Sequence, residues 1–282
     1  MSEHNIQIQQ RLTFDQLSRA VDEATREVGG TYGRKVMRGY LRLKGVRAGV
    51  NQIGAAQRRV APFYADNRRR DLQRQVNPQT YRAPHYGYNL HFDQNEKLVD
   101  YGVVFVLANN RVERLWQEVN QRVGFPLKYA FIQLENAGYF HRWDPLHLRA
   151  ASLLGCAVAN VMLQRCIGAW NNHSIPGKGV PADYIPYSGT FPVPDDALPS
   201  VDRAVTMYRD KGGHLTDEHT FGVDPLENNV LLKAFRDQCF WFEIETTYKG
   251  LTELANNVAN HNYMPFQYAL LRFIQLTIHF FS

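Results

Sequence analysis

The chain has 282 residues, 44% of them hydrophobic, with 32 Lys+Arg against 27 Asp+Glu and a formal net charge of +5. That length suits about two domains, and the apolar share suffices for a real core. The three cysteines, Cys156, Cys166 and Cys239, are an odd, sparse set that speaks against a disulfide framework and for a reducing compartment.

The N-terminus, MSEHNIQIQQRL, has no apolar h-region, so no signal peptide is expected. Residues 1–80 hold 15 Lys+Arg and 7 Asp+Glu, a balance of +8 that leaves −3 for the rest. A basic part on a near-neutral body points to an anionic partner, DNA or RNA first, although a solvated helical surface gives the same count. Residues 13–28 read as a helix: Thr13 is placed to cap it, and Phe14, Leu17, Ala20, Val21 and Ala24 recur at helical spacing. A second helix fits Arg34 to Lys44, with Gly45 as its C-cap, and a third fits Val50 to Val60. Helix, short Gly-containing turn, helix is the outline of a helix-turn-helix, and equally of an ordinary three-helix bundle. The third helix carries Asn51, Gln52, Gln57, Arg58 and Arg59, whose amides and guanidiniums suit base edges and phosphates. With Arg47 in the turn and Arg68, Arg69 and Arg70 beyond the helix, Asn51, Gln52, Arg58 and Arg59 form the expected DNA-binding set.

Residues 75–88, with Pro78 and Pro84, read as an extended linker. Asn89 to Gln94 and Val103 to Ala108 are strand candidates, with Lys97 to Gly102 as the turn between them. Asn110 to Val123 is a helix with Val112, Leu115, Trp116, Val119 and Val123 on one apolar face. Residues 125–140 and 144–170 read as further helices, 171–199 as mostly loop, and 200–282 as helices with loops between. No run of 18 uncharged apolar residues is found; Arg272 interrupts the apolar end of the chain, which reads as a buried terminal helix.

Two carboxylates stand out. Asp93 lies at a strand end and Glu113 in the first turn of a helix, an arrangement by which metal-dependent nucleic-acid enzymes hold divalent ions through hard oxygen ligands. A turn residue and a helix-dipole partner are the ordinary roles of such residues. His141, His147, Cys156 and Cys166 lack the close pairing of a zinc site; the two cysteines lie ten apart on one helix, face different ways, and read as buried structural residues.

The segments HFDQNEKL, NNRVERLWQEVNQRV, PLKYAFIQLENAGYF, RCIGAWNNHSI and GVPADY together resemble the integrase core domain of eukaryotic transposon-derived proteins, and GRKVMRGYLRLKGVRAGVNQIGAAQRRV resembles the helix-turn-helix preceding such cores. The resemblance covers residues 30–187 and is most specific at RVERLW. It implies an RNase H-like fold with an Asp-Asp-Glu triad that uses Mg²⁺ or Mn²⁺. Asp93 then corresponds to the first Asp and Glu113 to the Glu, and His173 packs against the core. The second Asp has no counterpart. Only 19 residues separate Asp93 from Glu113, too few for further parallel strands with their crossovers. Asp100 sits in the turn, away from the strand end, and Asn109 and Asn110 carry no charge.

The expected fold is α+β, mostly helical: a basic helix-turn-helix-like domain over 1–75, a linker over 76–88, a truncated RNase H-like core of about two strands over 89–187, and a helical region over 188–282. The expected function is nucleic-acid binding without strand transfer, inside the cell or nucleus and on no membrane, with DNA as the partner and self-association as a second. A helical interaction or structural protein is the rival. A mature transcript that restored the absent strands and the second Asp would instead imply an active DNA integrase.

Overall fold

The computed structural model describes residues 12–64, 92–95, 98–103, 105–108, 112–175, 177, 179–184, 199–213 and 221–282. The described part is mostly helical. Helix α1 (Phe14–Val28) opens with a capping box: Thr13 Oγ1 accepts from the Gln16 amide at 3.2 Å, and Gln16 Oε1 accepts from the Thr13 amide at 2.8 Å. Leu17, Val21, Ala24 and Val28 then recur on one face and are buried. Helix α2 (Arg34–Leu43) ends at Lys44, where Gly45 takes a φ of 79°, the left-handed conformation that only glycine adopts without strain. Helix α3 (Val50–Val60) buries Ile53 and Ala56. These helices share one apolar cluster around Val21, Tyr32, Met37, Leu41 and Ile53.

Strands β1 (Phe92–Asn95) and β2 (Phe105–Ala108) pair antiparallel, with Asp93 opposite Leu107. Their connection carries a 3₁₀ turn (Val99–Tyr101) and is seated by side chains from two later helices. Tyr101 stacks on Phe131 at 4.6 Å, and Ser152 Oγ donates to the Gly102 carbonyl at 2.9 Å. Helix α4 (Val112–Val119) buries Leu115, Trp116 and Val119 and runs through a π turn (Asn120–Gly124) into α5 (Phe125–Asn136). Pro126 accounts for the wide turn. It has no N–H to give to the carbonyl four residues back, and the Phe125 amide reaches Asn120 instead.

Helix α6 (Pro145–Asn172) runs through the middle of the fold, and α2, α4, the π turn, the 3₁₀ turn and the two last helices of the chain pack on it. Leu154, Val158, Met162 and Cys166 belong to the larger core, with Phe131, Phe240, Leu254 and Phe266, whereas Ala169 belongs to the N-terminal cluster. Helix α2 closes on its last turns. A methyl on Gly39 would lie 2.2 Å from the Ala169 carbonyl oxygen, so only glycine permits this approach. Arg165 donates to the Glu27 carbonyl at 2.6 Å, and Asn260 donates to that of Arg26 at 2.6 Å. The buried Arg122, paired with Glu118, sets its guanidinium 4.5 Å over the Tyr32 ring. By length and composition α6 could also cross a membrane; here it is the central packing helix.

Within the stretch read as loop, the described residues include a short helix α7 (Pro181–Tyr184). Helix α8 (Val201–Asp210) buries none of its residues. Helices α9 (Val230–Thr246), α10 (Gly250–Ala259) and α11 (Met264–Phe281) close the core. Between α9 and α11 lies a buried ion pair. Arg236 donates to Asp224 at 2.5 and 3.2 Å, to Thr277 Oγ1 at 2.7 Å and to Asp237 at 2.7 Å, and lies over Phe273. Cys166 is buried as expected, but Cys156 is exposed, because the face of α6 it occupies looks outward beside Gly102. The terminal helix buries one face only: Phe273, Ile274 and Leu276 are covered, while Ile278 and Phe281 face water.

Candidate nucleic-acid interface

Between Val28 and Ala65 the chain holds eight Lys and Arg and no Asp or Glu. The fold sorts these cations into two groups. Arg42 pairs with Asp183 at 2.5 Å, Lys44 with Glu27, and Arg59 with Asp15 at 2.6 Å while lying over the Phe14 ring. Their charge is spent inside the molecule. Arg34, Lys35, Arg38, Arg47 and Arg58 are exposed and form no ion pair with a described carboxylate. Arg34 and Arg38 are one turn apart on α2, and Arg34 extends across α3. A methyl on Gly54 would lie 3.6 Å from Arg34 Cδ and 3.9 Å from a terminal nitrogen of Arg58. The absent side chain at Gly54 thus leaves room for two arginines, one from each helix, to flank the same spot.

The outward face of α3 presents Asn51, Gln52, Arg58 and Arg59, four of the expected residues, and Arg47 is exposed in the preceding turn. They are not equivalent. Gln52 Oε1 accepts from the Gly49 amide at 3.0 Å, and Arg59 is held by Asp15, so Asn51 and Arg58 are the side chains with no described partner. Gln57 does not belong to this face: it is buried, donating to the Tyr32 carbonyl at 2.8 Å. Arg68, Arg69 and Arg70 lie outside the described residues. Sequence reasoning missed Arg34, Lys35 and Arg38. The signal was there in the acid-free run and in the four-residue spacing of Arg34, Arg38 and Arg42.

The cations stand on a braced frame. Glu27 accepts from both the Tyr40 hydroxyl and Lys44, tying α1 to the end of α2. Burial alone would raise its carboxyl pKa, but these two bonds, together with the charges of Lys44 and Arg165, outweigh burial and hold it below the usual carboxylate value. Tyr40 moves the other way: burial, then the bond to Glu27, pushes its hydroxyl well above its ordinary value, so it remains a donor.

Asp93 sits on β1 and Glu113 in the first turn of α4, and these two elements touch. Their side chains lie outside the described residues. Asp100 is in the 3₁₀ turn, within 3.2 Å of Arg142, which also clasps Glu135 at 2.7 Å. No group of three or more His, Cys, Asp or Glu is placed to hold a metal among the described residues. His141 and His147 stack at 5.8 Å, with the His141 amide donating to His147 Nδ1 at 3.0 Å. His173 is buried against Trp170, ring centroids 4.5 Å apart. Compared with protein-family models, curated proteins and solved structures, the chain matches none of them.

Proposed function

We propose that this protein binds double-stranded DNA through the outward faces of α2 and α3, as an integrase-like, transposon-derived chain that has lost strand transfer. The observation that carries the reading is the run of five exposed cations without a described acidic partner, Arg34, Lys35, Arg38, Arg47 and Arg58, around an α3 face that offers Asn51. Cations with no acidic partner among the described residues release counterions when they meet phosphates, and an exposed amide beside them can reach a base edge. The two helices and the turn Lys44–Gly49 then act as a helix-turn-helix, with α3 as the helix that enters the major groove. Such a role belongs in the nucleus or elsewhere inside the cell.

Strand transfer needs Mg²⁺ or Mn²⁺ clamped on both the attacking and the leaving oxygen. Of the carboxylates carried by β1 and α4, Glu118 is paired with Arg122, which leaves Asp93 and Glu113, and Asp100 is engaged by Arg142. Two carboxylates do not fit a two-ion site.

Binding is tested by titrating labelled duplex with the full chain at 50–200 mM salt. Five phosphate contacts predict a log–log slope of roughly −4.5. Arg38→Ala together with Arg58→Ala should flatten it by about 2, while Glu113→Gln leaves it unchanged. A folded sample that does not bind duplex at 50 mM salt refutes the reading.

A further inference from the structure

Helix α9 has two apolar faces. Phe240 and Ile244 are buried against the core, one turn apart, with the ion-paired Arg236 on the same side. On the opposite side Leu231 is 82% exposed, Phe235 56% and Phe242 67%. These three, with the exposed Ala234, Gln238 and Glu245, form one stripe, in which positions 231, 235, 238, 242 and 245 step by four, three, four and three residues. That spacing is a coiled-coil seam, and a helix apolar on two faces is built to be covered on both. Phe280 supports the stripe from α11, its ring 5.6 Å from that of Phe235.

We propose that the outer stripe of α9 is covered by the same stripe of a second copy of this chain, the two helices running antiparallel. The stripe is complementary to itself. A two-fold axis between residues 238 and 239 sets Phe235 opposite the partner's Phe242, and Phe242 opposite the partner's Phe235. Gln238 then meets its own counterpart near the axis, a single polar pair of the kind that fixes register. Charge selects the direction. The stripe holds one ionic side chain, Glu245 at its C-terminal end, and no Lys or Arg. Antiparallel pairing carries Glu245 to the positive N-terminal end of the opposing helix, whereas parallel pairing sets two Glu245 carboxylates side by side. The lack of cations on the stripe speaks against nucleic acid as its occupant.

Area agrees. At about 200 Å² for a Phe and somewhat less for a Leu, Leu231, Ala234, Phe235 and Phe242 leave on the order of 450 Å² of apolar surface in water. Homodimer interfaces are about 65% apolar, so this corresponds to roughly 700 Å² in all, close to the ~800 Å² that each partner of a stable complex buries.

The test is sedimentation of the full chain between 1 and 100 µM, which should show a species of twice 32.5 kDa. Phe235→Glu and Phe242→Glu should each weaken self-association at least 100-fold with unchanged far-UV circular dichroism, since both rings already face water. Orientation is read by cysteines in a Cys156→Ser, Cys239→Ser background, because Cys156 is exposed and would cross-link by itself. Antiparallel pairing brings residue 238 of the two copies together and holds the two copies of residue 231 about 22 Å apart at 1.5 Å per residue. Gln238→Cys should therefore oxidise to a covalent dimer and Leu231→Cys should not. A monomer at 100 µM, a dimer indifferent to both Glu substitutions, or cross-linking through Leu231→Cys overturns the proposal. The DNA titration is a separate measurement, so either reading can fail alone.

Discussion

Asp224→Ala would strand a guanidinium in the interior. The Arg236 side chain is 1% exposed and that of Asp224 5%, and the two are joined by hydrogen bonds of 2.5 and 3.2 Å. Removing one member of a buried ion pair costs about 3–5 kcal/mol, because the survivor keeps its desolvation penalty. Arg236 would retain Thr277 and Asp237, which places Asp224→Ala near the lower end, at about 3 kcal/mol. Among the described residues Asp224 would retain only the Leu226 amide at 3.1 Å, which places Arg236→Met nearer 4 kcal/mol. Neither charge is stranded in the double variant, so it should cost about 2–3 kcal/mol less than the sum of the two. Urea unfolding followed by circular dichroism on the four proteins gives the cycle directly. At roughly 2–4 °C per kcal/mol, Asp224→Ala should also lower the melting temperature by about 6–12 °C. Single variants that each cost under ~1 kcal/mol, or a double variant that is simply additive, would refute the reasoning.

Two glycines make a matched pair. Gly39→Ala should destabilise by about 2–3 kcal/mol, since its methyl would sit 2.2 Å from the Ala169 oxygen and 2.8 Å from the His173 nitrogen. Gly54→Ala meets nothing closer than 3.6 Å and should stabilise α3 by about 0.5–1 kcal/mol; both are read from urea midpoints. Acid should unfold the protein through Glu27, Glu135, Asp224 and Glu243. Hydrogen bonds from Lys44, Arg142, Arg236 and Arg272 respectively bring each below its ordinary value, against the opposing effect of burial. A depressed folded pKa means the unfolded chain binds more protons, so this stability is full above the unfolded carboxylate pKa of about 4–4.5 and is lost as pH falls below it. Asp224→Asn should flatten the urea midpoint between pH 5 and 3.

Local signals were legible where the physics is local. The Thr13 cap, the Gly45 stop and the spacing of Leu17, Val21 and Ala24 were readable from neighbours within a few residues, and α1, α2 and α3 follow. Partnerships across the chain were not. Counting charge put Arg58 and Arg59 on equal terms, yet Asp15, 44 residues earlier, neutralises one of them. Gln57 has the chemistry of a base-reading amide, and its helical position turns it toward Tyr32 instead. The periodicity of α9 is blurred because both of its faces are apolar, so no single stripe announces which side meets the core. Asp93 and Glu113 were reached through motif and resemblance, and the backbone of β1 against α4 carries them no further than adjacency.

The docking of α2 on the far end of α6 has a consequence for synthesis. Glu27 waits for Arg165, which leaves the ribosome 138 residues later, and Gly39 waits for Ala169. At about 5–20 residues per second that interval is roughly 7–28 s, long compared with the microseconds in which a helix forms. Throughout it α1, α2 and α3 can assemble around Val21 and Ile53, but the α2 surface at Gly39 has nothing to close on. Nascent chains stalled before residue 165 should therefore show this surface to chaperones and proteases, and chains stalled far enough beyond residue 172 to free the whole of α6 should not.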